Sequence, residues 1–209
     1  MTRINDKQRL MAEFARQGSL KDAELMFLEI EDIDFSGMSL EGINFSGSRL
    51  RNVRFDGADL SHAHVQEARM EGVSLRRAEL GHVFFQKCHF TQADFSESFL
   101  EAAQLYMCHL EGACFRGARM ERAQLRGSDL SEADFSDALM NGVVFRESTL
   151  RAARFINTVL SGADFRKTDL HAAIYRQIRV DGALFYGKPP WGGAAVDGMA
   201  ARMEVFDGE

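Results

Sequence analysis

Proline is nearly absent from this chain: the two prolines stand side by side at Pro189-Pro190, close to the end of 209 residues. Because proline cannot donate to a β-ladder, the pair reads as a stop signal. Cysteine is scarce too, and three residues do not make a disulfide framework. No apolar stretch is long enough to span a bilayer, and the N-terminus lacks the apolar core of a signal peptide. A formal charge of −6 excludes a strongly basic nucleic-acid binder, and 45% hydrophobic content excludes a disordered chain. Also missing are a Gly-rich phosphate loop, a GxSxG elbow and a Cys-His pair placed to activate a nucleophile. These absences predict a non-enzymatic cytoplasmic protein with no cofactor, no membrane contact and no direct nucleic-acid contact.

What the chain does have is a count of five. A large apolar residue falls at every multiple of five from Leu25 to Phe185, with no insertion or deletion. The run begins Leu25, Ile30, Phe35, Leu40, Phe45 and ends Leu170, Tyr175, Val180, Phe185. Five is neither the 3.6 of a helix nor the 2 of a strand, so each unit is a short extended piece followed by a corner. Two places before each large residue the side chain is small: Ala58, Ala63, Ala68, Cys88, Ala93, Ser98, Cys108, Ser128. Residues i−2 and i lie on one side of an extended segment, so both point inward. The remaining positions carry Asp, Glu, Arg, Ser, Gly and Gln, as solvated positions should. An all-β solenoid follows.

The triplets Ala58-Asp59-Leu60, Ala93-Asp94-Phe95, Ala133-Asp134-Phe135 and Ala163-Asp164-Phe165 resemble the A(D/N)Lxx motif of the pentapeptide-repeat family. That resemblance, over roughly residues 23 to 187, implies a right-handed quadrilateral β-helix with four pentapeptides per coil. The residues support a twenty-residue coil on their own. The column Phe35, Phe55, Leu75, Phe95, Phe115, Phe135, Phe155, Tyr175 is a nearly pure aromatic stack, while among positions ending in zero only Phe90 is aromatic. With about 4.8 Å between stacked strands, about eight coils make a rod on the order of 40 Å long.

Solenoid ends need covers, because an open coil exposes its bore and its strand edges. Residues 1–22 are expected to form an N-terminal helical cap. Its helix runs Asn5 to Gln17, capped by Asn5 or Asp6, stopped by Gly18, with Leu10, Met11 and Phe14 on one face. Residues 23–187 form the repeat, and residues 188–209 a tail that serves as cap or dimer seam. Met199, Met203 and Phe206 stand at helical spacing there. The resemblance to quinolone-resistance members implies a homodimer through that C-terminal end.

Function then depends on which outward residues break the rule. Two histidine pairs at twenty-residue spacing, His62/His82 and His89/His109, with His64 beside the first, stack closely enough to share a cation. Neither pair has an obvious third and fourth ligand, so both read as solvated ladders. Cys88 and Cys108 stack inward as buried free thiols. A partial acidic stripe comprises Glu41, Glu101, Glu121 and Asp181, with Asp59 and Glu79 beside it. The resemblance implies a use for it: some family members mimic duplex DNA and bind DNA gyrase or topoisomerase IV. Arg119, Arg122 and Arg179 interrupt this face, Arg126, Arg146 and Arg166 form a basic column beside it, and the unbroken register leaves no room for projecting loops. Apolar residues at outward positions point to a protein partner instead. Phe84, Tyr106 and Met107 make one candidate patch; Phe99, Leu139 and Val159 make a second, broken by Arg119. The expected function is a rigid rod that presents these surfaces to a protein, with gyrase engagement and a scaffold or secretion-associated adaptor as the alternatives.

Overall fold

The computed structural model describes residues 6–17, 19–186 and 205–206. Every large residue at a multiple of five from Leu20 to Leu160 is at most 5% exposed, and the small residues two places before them are buried beside them. The inward assignment therefore holds along the wall. Leu170 and Tyr175, near the end of the repeat, are half-buried against the same core.

Coils rise by parallel pairing at a constant twenty-residue register. One outward column pairs Glu24 with Asn44, Asn44 with His64, His64 with Phe84, and onward to Asp164 with Leu184. Asn44 N–H donates to Ala23 O at 3.0 Å and Leu25 N–H donates to Asn44 O at 2.9 Å, so each coil hydrogen-bonds the next on every side. Inside, Phe95, Phe115, Phe135, Phe155 and Tyr175 stack nearly parallel with ring centroids 4.8 to 5.4 Å apart. Such offset stacks bury large apolar area at the strand spacing.

Corners fix the backbone. The residue two places after each large one, from Asp22 to Gly182, sits in the left-handed region with φ between 51° and 71°. Non-glycine residues such as Glu97 and Arg77 occupy most of these sites, each at a cost of about 1 kcal/mol. At Gly47 a Cβ would lie 2.4 Å from the exposed Phe27 ring, which would have to swing aside. At most corners the chain also closes a turn bond, as where Ser98 N–H donates to Phe95 O at 3.2 Å.

Short strands appear where the corner opens instead. They are β1 (Glu29–Glu31), β2 (Arg49–Arg51), β3 (His64–Gln66), β4 (Arg69–Glu71), β5 (Phe84–Gln86), β6 (Gln104–Tyr106), β7 (Arg154–Ile156), β8 (Ile174–Arg176), β9 (Phe185–Tyr186) and β10 (Val205–Phe206). Two three-stranded sheets result, β1-β2-β4 and β3-β5-β6, together with the pairs β7-β8 and β9-β10.

The helix α1 spans Asp6–Gln17, with Asp6 in its first turn and Arg16 in its last, as the helix dipole favours. The Asp6 carboxylate accepts the Glu29 N–H at 2.6 Å, which ties the helix to the first coil. Leu10 is 3% exposed, whereas Phe14 is 40% exposed, so the apolar face is narrower than the sequence pattern predicts. Asn5 and Gly18 lie outside the described residues. In the tail, Phe206 does not continue a helical spacing: β10 pairs with β9, Val205 on Phe185 and Phe206 on Tyr186. Those pairs keep the twenty-residue step, so the edge left by the last coil outweighs the helical pattern. Met199 and Met203 lie outside the described residues.

Candidate protein-interaction face

The patch around Phe84 is built by three consecutive open corners. After Val65, Phe85 and Leu105 the strand continues one residue further, so Gln66, Gln86 and Tyr106 lie in the sheet beside His64, Phe84 and Gln104. This is one of the two places among the described residues where three strands pair side by side, the other being β1-β2-β4. His64 stacks on Phe84 at 4.8 Å, and Tyr106 meets Phe84 edge-on at 6.1 Å. Met107 projects next to them, 46% exposed. Beside Tyr106 and Met107 lies a groove of about 470 Å³ lined further by Gln86, Gln124, Arg126, Gly127 and Glu147. The structure thus brings Phe84, Tyr106 and Met107 together.

The second apolar column is linear. Phe99, Arg119, Leu139, Val159 and Arg179 pair rung by rung, with Phe99 and Leu139 over a third exposed and Val159 half-buried. Arg119 does not merely interrupt it. Its guanidinium lies 5.9 Å from the centre of the Phe99 ring, a cation–π contact that covers part of the apolar surface.

Three charges on the other candidate stripe pair with near neighbours. Glu41 pairs with Lys21 at 2.6 Å, Glu121 with Arg119 at 3.6 Å, and Glu101 with Arg122. Asp59 stacks one rung below Glu79 and accepts the Ser61 N–H at 3.0 Å. Asp181 stands exposed at the far end of the same column. The basic column is paired in the same way: Arg126 holds Glu147 through two nitrogens, and Arg166 and Arg146 both face Asp164, at 2.7 and 3.9 Å. Arg166 draws the Asp164 carboxyl below its ordinary range despite the opposing effect of burial. The exposed pairs among these contribute little stability each.

Both histidine pairs stack, His62 on His82 at 5.3 Å and His89 on His109 at 4.3 Å. Among the described residues no group of three or more His, Cys, Asp or Glu is placed to hold a metal ion. Nor is any described helix long and apolar enough to cross a membrane.

The hydrogen bonds of one inward column escape a reading of the sequence. Ser48, Cys88, Cys108, Ser128, Ser148 and Thr168 share one inward column, and each donates to a carbonyl twenty-three residues earlier. Their only signal is a Ser, Thr or Cys recurring among alanines at twenty-residue spacing. Gln66, Gln86, Gln104 and Gln124 around Phe84 carry even less signal, since glutamine is what any solvated wall displays.

The architecture defines a class: a parallel β-helix of five-residue units. A model of the family described as pentapeptide repeats matches eight copies here, in overlapping segments that run from residue 30 to residue 174. The chain belongs to that family, whose members are generally structural or binding proteins. Comparison with curated proteins finds no match. Among solved structures, a trypsin-treated form of QnrB1, titled a plasmid-mediated fluoroquinolone resistance protein, is 22% identical and has a TM-score of 0.62. The alignment covers 87% of this chain and 92% of that one. A second trypsin-treated QnrB1 form, also 22% identical, gives 0.58 over 87% and 91%. At such identity the likeness shows the fold alone.

Proposed function

We propose that this chain is a non-enzymatic binding rod that presents a rigid β-helical surface to a protein partner. The observation that carries the reading is the Phe84–Tyr106–Met107 cluster, an aromatic pair with an exposed thioether on a three-stranded sheet. Aromatic residues and methionine anchor interfaces, and a soluble wall made of polar outward positions has no structural need for them. The Phe99–Leu139–Val159 column offers a second contact line to the same or another partner.

Crosslinking the purified rod to proteins in a lysate of its own source organism, quantified against Phe84→Ala, Tyr106→Ala, Phe99→Ala and Leu139→Ala variants, tests this reading. Loss of one crosslinked protein with either pair supports it. A crosslinked set identical for all variants would end it.

A second reading takes support from the fold it shares with QnrB1: engagement of DNA gyrase or topoisomerase by the column of Glu41, Glu101, Glu121 and Asp181. The pairing of Glu41 and Glu101 with Lys21 and Arg122 across coils, and of Glu121 with Arg119 within its coil, counts against it, because a duplex mimic needs uncompensated negative charge. A supercoiling assay with excess purified protein decides. Inhibition that disappears on charge reversal at Glu101 and Glu121 would favour mimicry, and no effect on gyrase removes it.

A further inference from the structure

We propose that the occupant of the Phe84 face is a second copy of this chain, docked face to face about a twofold axis. The proposal rests on the reading of the chain as a protein-binding rod and names the partner at one of its faces.

Charge is the first argument. The chain carries a formal charge of −6, so two copies repel overall, and a wall without charges is where they meet with least opposition. The two three-stranded sheets differ sharply in this respect. On β1-β2-β4 the outward side chains are Glu29, Glu31, Arg49, Arg51, Arg69 and Glu71, with a charge at every position. On β3-β5-β6 they are His64, Gln66, Phe84, Gln86, Gln104 and Tyr106, with no carboxylate, lysine or arginine among them. Charges at the rim of this neutral face satisfy each other: Lys87 pairs with Glu67 at 3.5 Å and Arg126 with Glu147 at 3.0 Å. This stretch of wall therefore meets its own copy without like charges facing one another.

Hydrogen bonding is the second. A twofold interface requires each surface to complement itself, with residue i on j and j on i. Glutamine suits that demand because one carboxamide both donates and accepts. Gln86, Gln104 and Gln124 border the aromatic pair, so their amides can bond their own counterparts across the axis. A patch built from acceptor-only carboxylates or donor-only guanidinium groups cannot do so.

Shape is the third. Three successive open corners align β3, β5 and β6 in one sheet across three coils, a surface along which two rods can lie side by side. Met107 stands proud beside the groove along Tyr106 and Gln124, which puts a knob next to a hollow on one surface. A twofold axis seats each knob in the other copy's hollow. The Phe99 column lacks these properties, since Arg119 and Arg179 on it would face like charges in a twofold pair.

Sedimentation velocity on the purified full chain, from about 1 to about 100 µM, tests the proposal. The expected result is a species of twice 23.4 kDa that grows with concentration. Phe84→Glu and Met107→Glu should each raise the dimerisation midpoint about tenfold or more, while Ile174→Glu, an exposed apolar residue on another face, leaves it in place. Circular dichroism and melting checks that the variants stay folded, and Tyr106→Ala is the milder substitution to use if Phe84→Glu does not fold. A monomer throughout the range, or a dimer indifferent to Phe84→Glu, overturns the second-copy assignment. If a monomeric chain still loses a foreign crosslinked protein on Phe84→Ala, the binding-rod reading survives alone. A Phe84-dependent dimer that captures no foreign protein supports the second copy and removes the foreign partner from this face.

Discussion

Ser128 shows how a solenoid wall satisfies a corner that does not close on itself. Its hydroxyl donates to Leu105 O at 2.7 Å and accepts the Cys108 N–H at 3.0 Å, with the side chain essentially buried. Ser48 does the same one end earlier, accepting the Leu28 N–H and donating to Leu25 O. Cys88 and Cys108 belong to this column, and their thiols donate to Val65 O at 3.3 Å and Phe85 O at 3.6 Å. Hydrogen bonding to Cys88, followed by burial, holds the Cys108 thiol well above its ordinary range, so it stays a neutral donor. The stacked cysteines are therefore wall hydrogen-bonders, and serine is their natural replacement. Ser128→Ala leaves the Cys108 N–H buried without its acceptor and is expected to cost about 1–3 kcal/mol, whereas Cys108→Ser should stay within about 1 kcal/mol of the parent. Urea unfolding of both variants checks the pair. A Ser128→Ala protein as stable as the parent would show that the column contributes nothing.

Single strands here are three residues or fewer, so an element's behaviour depends on the column it joins. His89 and His109 share an exposed column with rings 4.3 Å apart and 11° from parallel. Burial lowers the affinity of His89 for a proton, and His109 and Arg69 lower it further, against a small opposing effect of Glu71. The folded chain thus binds less proton at His89 than the unfolded chain does. Stability is full above the ordinary histidine value of about 6.5 and is lost as pH falls below it. Thermal melts should show a declining midpoint from about pH 7.5 to about pH 5, with a shallower slope in His89→Gln. Equal slopes in parent and variant would remove this ladder as the cause. Register, inward columns and the aromatic stack were all legible in the sequence, because an uninterrupted period leaves one way to wind the chain. The difference between closed and open corners was not. Gln86-Lys87 and Ser96-Glu97 both place a left-handed residue at the corner, yet only the second carries a turn bond. Ser128 helps one open corner by accepting the Cys108 N–H, but Ile33, Val53 and Val73 end open corners with only Val53, Val73 and Ala93 twenty positions on, so no one residue type marks an open corner. Phe84, Tyr106 and Met107 were legible as apolar residues at outward positions. The neutrality of their face was not, because it depends on pairs such as Glu67 with Lys87 meeting across coils.

At the scale of the whole rod, every coil touches only its neighbours, so stability passes along the chain coil by coil. At the two ends α1 is tied to the first coil through Asp6 and Leu10, and β10 extends the ladder beyond β9. A defect at mid-rod has no cover and no way around it. Leu110 is fully buried, one coil above Phe90 and one below Leu130. Leu110→Asp puts a carboxylate between those two apolar side chains, where burial without a partner costs several kcal/mol. The carboxylate can escape that cost only if the coil around it loosens, and a loosened coil no longer transmits order between the two halves. Calorimetry should therefore replace one cooperative transition with two at lower temperature, one for the coils before residue 110 and one for those after it. A variant that melts like the parent would place Leu110 outside the bore. A single transition at lower temperature would mean that the halves remain coupled through the hydrogen bonds of the wall, such as Leu110 N–H to Asp129 O at 2.7 Å, even when the core between them is broken.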